Sequence, residues 1–145
     1  MKDQDVDLYK LILEIRATAE DLNAISLSVN EAAGITAAER TVLEALFGRD
    51  ERTVPQIAKA KHVSRQHVQL LVDGLSAKNL VRHADNPGHK RSKLILITET
   101  GRRIVQDIRS NEAITLSQLS ENLNTDTAQT ATRTLRDLRR AVSKL

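Results

Sequence analysis

Four residues in the run VSRQHVQ carry side chains suited to reading the edge of a base: Ser64, Arg65, Gln66 and Gln69. An arginine guanidinium donates two parallel hydrogen bonds to guanine O6 and N7. A glutamine amide suits adenine, donating from its nitrogen to N7 and accepting from N6 with its oxygen. Each good bidentate pair discriminates against the wrong base by about 1–3 kcal/mol. Cations flank this run on both sides. Lys59, Lys61 and His62 come just before it, and Lys90 and Lys93 come after, all suited to phosphate oxygens. Phosphate contacts position a protein on a duplex and carry no sequence information of their own. Arg91 is a candidate for a narrow minor groove, where negative potential is concentrated. For each lysine the plain alternative is a solvated surface charge.

Other chemistries fit these residue types less well. All four histidines, His62, His67, His83 and His89, fall in the same part of the chain. Yet His62 and His67 are five positions apart and so do not share a helix face, and no cysteine or paired glutamate completes a metal-ligand set. A Ser64–His67 nucleophile pair lacks both a nucleophile elbow and a glycine-rich oxyanion loop. Ser64 is better explained as a helix N-cap. Neither catalysis nor a cofactor or metal is expected. The competing reading is a helical adaptor or a metal-responsive protein without sequence-specific DNA binding. An adaptor would show no salt-dependent affinity for DNA.

The elements that must position these residues follow from periodicity. Val68, Leu71, Val72 and Leu75 fall at i, i+3, i+4 and i+7, one face of a helix that begins after Ser64. Its opposite face carries Arg65, Gln66, Gln69 and Asp73. His67 sits at the edge, suited either to packing or to a phosphate. Asn79 is expected as a left-handed C-cap. Just upstream, Thr53 and Gln56 form a capping box with Pro55 in the first turn, so PQIAKAKH reads as a short helix. Val63 is expected to be the buried residue of the turn between the two. A short helix docked on the apolar stripe leaves the polar face outward, which is the helix-turn-helix arrangement. Leu80–Ala84 and Lys93–Ile97 are strand candidates on either side of DNPGHKRS, an eight-residue tip that would make the hairpin a wing. A tip of this length is costly in ordering entropy unless a partner orders it.

Helices are expected on both sides of this reading head. Thr36 and Glu39 form a second capping box, opening a helix with Val42, Leu43 and Leu46 inward and Gly48 at its end, free to take a positive φ. RDER then reads as a short charged loop. The chain opens with a helical pattern from about Val6 to Val29, in which Leu8, Ile15, Leu22 and Val29 repeat every seven residues. Another helix starts at Thr98 and continues through Leu123, with a bend expected near Asn111. The last carries Ala131, Leu135, Leu138, Val142 and Leu145 in a 4-3-4-3 spacing like a coiled-coil seam. These terminal stripes hold more apolar surface than a small reading head covers, which points to a subunit interface; packing within one domain is the plain alternative. The expected fold is mostly α, a winged helix-turn-helix over residues 35–98 with a small β-hairpin wing. Residues 1–34 and 99–145 form the helical dimerisation region.

Composition agrees with this organisation. A chain of 145 residues suits one small domain plus an assembly element, and its 40% hydrophobic residues, with 1% aromatic, imply an aliphatic core. There is no run of 18 apolar residues, and the opening MKDQDVDLYK is too polar and acidic for a signal peptide. A cytoplasmic protein with no membrane partner is expected. The absence of cysteine excludes disulfides and thiolate chemistry. A net charge of +3 hides an asymmetry: Lys59 to Lys93 holds eight basic residues against Asp73 and Asp85, while the rest of the chain is net acidic. A basic block that coincides with a helix-turn-helix pattern points to nucleic acid.

The segments ITAAERTVLEAL, IAKAKHVSRQHVQLLVDGLSAKNLV and KRSKLILITETG, in this order and spacing, resemble the MarR family of winged helix-turn-helix regulators, and the likeness covers nearly the whole chain. The resemblance implies a homodimer with interlocked terminal helices that binds a pseudo-palindromic operator in double-stranded DNA. It also implies a repressor, released in many such proteins by a small-molecule effector. Two features depart from the pattern. The family's wing carries an Asp and an Arg nine and seven positions before the Thr that corresponds to Thr98. Here those positions are His89 and Arg91, so the Arg is kept and the acid is not, leaving Asp85 or Asn86 to orient Arg91. Asn79 stands where a glycine is common. The missing cysteine rules out the oxidation switch of some relatives.

Overall fold

The computed structural model describes residues 3–49, 51–89 and 91–145. Their helices and strands run α1 (Asp3–Ala32), α2 (Ala37–Phe47), β1 (Glu51–Thr53), α3 (Val54–Lys61), α4 (Arg65–Ala77), β2 (Val81–Ala84), β3 (Leu94–Ile97), α5 (Glu99–Ser120) and α6 (Thr125–Val142). Packing divides the chain into two compact units, one ending at Ile108 and the other beginning at Arg109, with α5 unbroken across the division. The fold is mostly helical with one small antiparallel sheet, as expected.

The capping signals of the sequence are realised one by one. Thr36 accepts from the Glu39 N–H while the Glu39 carboxylate accepts from the Thr36 N–H, and Thr53 and Gln56 do the same for α3. Each reciprocal pair satisfies two backbone donors that the helix cannot satisfy itself. Val42, Leu43 and Leu46 of α2 are buried, as are Ile57 of α3 and Val68, Val72 and Leu75 of α4. The stripes of three helices thus meet in one aliphatic core, completed by Ile95 and Ile97 of β3 and by Val105 and Ile108 of α5. A buried Leu or Ile there contributes roughly 1.5–3 kcal/mol.

Four local expectations are corrected. Glu51 and Arg52, placed in a charged loop by their sequence, form with Thr53 a strand that pairs with the free edge of β3 in the register Glu51↔Leu96 to Thr53↔Leu94. Three residues carry no readable alternation, so the pairing is decided by a partner more than forty positions away. Gly48 caps α2 in the right-handed region at φ −99, because β1 follows at once and no left-handed turn is required. Val63 is exposed at 42% rather than buried. Here the reason lies at His62, which takes φ 55 and lets the Val63 N–H reach back to the Ala58 carbonyl, so the chain reverses in a left-handed turn that leaves Val63 outside. The helix that follows Thr98 also stops early: α5 is helical through Asn111 and ends at Ser120, so Leu123 lies beyond it, as Leu145 lies beyond α6. Asn79, by contrast, adopts φ 57 after α4, as its type suggests.

Two junctions hold the reading head to its neighbours. Glu39, buried on α2, accepts from Lys78 Nζ at 2.8 and 2.9 Å, and the same ammonium donates to the Gly34 carbonyl. Burial pushes the Glu39 carboxyl up, but hydrogen bonds from Lys78 and the Thr36 backbone, with the Lys78 charge, outweigh it and hold the pKa below the usual value. At the second junction Thr98 accepts from the Gly101 N–H, capping α5, and donates to the carbonyls of Asn79 and Leu80. A Cβ added to Gly101 would stand 2.3 Å from the Leu80 carbonyl oxygen, so only glycine lets α5 approach the end of α4 this closely.

Candidate nucleic-acid interface

Ser64 ends the left-handed turn and caps α4: its hydroxyl oxygen accepts from the His67 N–H at 3.1 Å. The side chain predicted to touch a base is therefore first a structural one, although its own O–H stays available to donate. Arg65, Gln66, His67 and Gln69 are all exposed on the face opposite Val68, Val72 and Leu75. His67 thus faces solvent and is not a packed residue. Gln69 donates from Nε2 to the Asp73 carboxylate at 2.8 Å, an i, i+4 bond that steadies the amide and leaves its oxygen free to accept.

One outward residue was not among those expected from the sequence. Leu70 is 66% exposed, a large apolar side chain on the polar face, four positions after Gln66. An apolar group so placed matches the C5-methyl of thymine, the one apolar feature of the major groove. Its signal was its position one residue before the stripe residue Leu71, which puts it outside the apolar face.

The cations distribute over two surfaces. Lys59 and His62 are exposed and Lys61 is partly so; Lys59 and His62 border a groove of about 540 Å³ that Val63 and Arg65 also line. At the other end, β2 and β3 pair from Val81↔Ile97 to Ala84↔Leu94 and carry the tip between them. The Asn86 side chain accepts from the Gly88 N–H, and the backbone N–H groups of His89 and Ser92 donate to the carbonyls of Asn86 and His89, so the tip is folded into successive turns. Arg91 and Lys93 are exposed. Lys90, expected on the backbone, lies outside the described residues. Among the described residues neither Asp85 nor Asn86 holds Arg91: no hydrogen bond or ion pair joins them, and Asn86 is committed to its own turn.

A helix-turn-helix with an outward polar face and a three-stranded wing is thus in place. Residues 33–92, which span all but the closing strand of it, match the MarR family. Among solved structures, a MarR family transcription regulator superposes with a TM-score of 0.85 at 23% identity, covering 97% of this chain and 93% of that one. The fold is the winged helix-turn-helix of MarR family regulators, and the family match itself covers residues 33–92. YusO from Bacillus subtilis also superposes, with a TM-score of 0.80 at 22% identity, covering 97% of this chain and 99% of that one, so the likeness of fold includes the terminal helices. A mutant MarR from E. coli complexed with operator DNA has a TM-score of 0.66 and 25% identity, covering 90% of this chain and 97% of its own. Curated relatives at 33% identity are uncharacterized proteins of Mycobacterium tuberculosis and Mycobacterium bovis; the match covers 58% of this chain and 59% of theirs. No helix among the described residues is long and apolar enough to cross a membrane.

Proposed function

We propose that this protein is a MarR-family, sequence-specific regulator of transcription in the cytoplasm that binds a pseudo-palindromic operator as a homodimer and represses until a small-molecule effector releases it. The observation that carries this reading is the exposed face of α4, where Arg65, Gln66, Gln69 and Leu70 stand together on a helix whose other face is buried. Ser64, Arg65, Gln66 and Gln69 contact bases in the major groove. Lys59, Lys61, His62, Lys90 and Lys93 contact the backbone, and Arg91 enters the flanking minor groove.

Residues 35–98 act as the reading head, and 1–34 with 99–145 as the dimerisation region. Exposed apolar side chains support that division: Leu8, Leu22 and Leu27 on α1, and Leu116, Leu119 and Leu135 on α5 and α6. Between the end of α5 and α6 a groove of about 720 Å³ is lined by Leu116, Leu119, Leu123 and Ala128, with Arg133 and Arg136 along it. A second copy would cover these surfaces.

The test is selection of bound fragments from random-sequence duplex DNA by the full-length protein. The expected product is an inverted repeat with half-site centres roughly 10–10.5 bp apart, bound less tightly as salt rises. Binding without sequence preference, or no binding, overturns the proposal, and the latter outcome with a helical partner captured instead would favour an adaptor.

A further inference from the structure

The wing and α4 enclose a cleft of about 350 Å³ lined by Gln69 from α4, His83 from β2, Arg91, Ser92 and Lys93 at the end of the tip, and by Val54, Pro55 and Ile95. Its polar lining consists of three basic side chains, an amide and a hydroxyl, with no carboxylate among them. Three basic side chains and a hydroxyl on a concave surface, with no carboxylate in its lining, are matched to an anion. None of the DNA contacts assigned above falls to His83. It stands opposite Ile95 in the sheet, and while Ile95 is buried at 1%, His83 is exposed to the cleft that both line.

The position of this cleft follows from the geometry of a duplex. A reading helix in the major groove and a wing in the adjacent minor groove are separated by one sugar–phosphate backbone, because that backbone is the wall between the two grooves. Any strand so straddled must pass through the notch between α4 and the wing. We infer that this cleft clamps one phosphate of the operator backbone, with His83 and Lys93 as donors to its oxygens and Ser92 as a third. Arg91 lies at the cleft on its way to the minor groove, so a phosphate held there sets how far its side chain reaches. His83 is then a positioning residue: it fixes the wing against the strand and thereby the register of Arg91. The inference rests on the DNA-binding reading above and adds to it a residue and a single backbone position.

The experiment is a methylphosphonate scan. The duplex is the inverted repeat selected from random-sequence DNA by the full-length protein, synthesised with one phosphate at a time made neutral in each half-site and flank. Affinities are measured for wild type, His83→Ala and His83→Arg. For wild type, neutralising the phosphate between the half-site and its flanking minor groove should weaken binding roughly ten-fold, the scale of a hydrogen bond to a charged group. His83→Ala should bind the unmodified duplex more weakly by a similar factor and be insensitive to neutralisation at that one position, while keeping wild-type sensitivity elsewhere. His83→Arg should restore both. A His83→Ala scan identical to wild type overturns the clamp and leaves the DNA-binding reading standing. Wild type that selects no sequence removes both. Inorganic phosphate that perturbs the His83 ring signals in the DNA-free protein, combined with an unchanged scan, would assign the cleft to a free anion and overturn the backbone assignment.

Discussion

At the scale of single residues the proposed contacts are of two kinds, base contacts from α4 and backbone contacts from the end of α3, and they should fail differently. Arg65→Ala or Gln66→Ala is expected to relax preference at particular bases of each half-site, at about 1–3 kcal/mol of discrimination. Lys61→Ala should weaken all sequences alike and lower the salt slope by about one unit for each phosphate it no longer neutralises. Binding profiles across an operator-variant library check this, and identical profiles for Lys61→Ala and Gln66→Ala would mean the roles are misassigned. Leu70 belongs with the first group. Its exposed apolar side chain predicts that Leu70→Ala, which removes no buried packing, leaves the melting temperature unchanged and erases a thymine preference at one position per half-site. At the wing, His89 stands where the resemblance leads one to expect an acid and neither Asp85 nor Asn86 is bonded to Arg91, which has no acidic partner among the described residues. Arg91→Ala should reduce preference for A·T-rich flanks as well as affinity. His89→Asp supplies the missing acid. It should sharpen the flank preference, measured as operator affinity for duplexes with A·T-rich and G·C-rich flanks.

Elements are held together by a few polar junctions whose removal is measurable without DNA. Glu39 and Lys78 tie α2 to the end of α4, and the Glu39 carboxyl is held below its usual pKa once burial is outweighed by its partners. A carboxyl whose folded pKa is lowered stabilises the protein above the unfolded value. That contribution is lost as pH falls through the folded pKa. The stability of wild type should therefore decline below about pH 4.5 more steeply than that of Glu39→Gln, which keeps the capping bond but not the charge. At neutral pH the same variant should be less stable by about 1–2 kcal/mol. Thermal melts across pH compare the two, and parallel curves would remove Glu39 from the account. The second junction is steric. Gly101→Ala drives a Cβ against the Leu80 carbonyl, whose backbone is fixed by its bond to the Thr98 N–H, and should destabilise the fold by roughly 1–3 kcal/mol. The expected signature is a lower melting temperature with unaltered base preferences.

On the scale of the whole molecule, the terminal helices carry apolar surface that one copy of the chain leaves open. No residue of α6 is buried, and Leu22 and Leu27 stand at half exposure along α1. A two-subunit assembly accounts for such surfaces, and a seam like that of α6 is otherwise a liability in water. Sedimentation at micromolar concentration should give a dimer. Removal of residues from Ala128 onward should give an unstable or aggregating chain and abolish binding to the inverted repeat, since one reading head contacts only one half-site. A well-folded full-length monomer would overturn this proposal.

Local chemistry determined a large part of this molecule. The capping pairs Thr36–Glu39 and Thr53–Gln56, the cap at Ser64, the left-handed Asn79 and the apolar stripe of α4 each depend on residues within about seven positions, and all are realised. The polar face of α4 follows from that stripe, which is why Arg65, Gln66 and Gln69 were legible as outward residues. Tertiary structure decided what depends on distant partners. β1 exists because β3 offers it an edge, and no pattern within Glu51–Thr53 announces a strand. Val63 is outside because His62 turns left-handed, a conformation uncommon for residues other than glycine and one that the histidine alone does not signal. His83 and Gln69 are fourteen positions apart and carry no common motif; only the folding of the wing beside α4 brings them to one cleft. Short-range hydrogen bonds and periodicity are written in the order of the residues, whereas a cleft between two elements belongs to neither of their sequences.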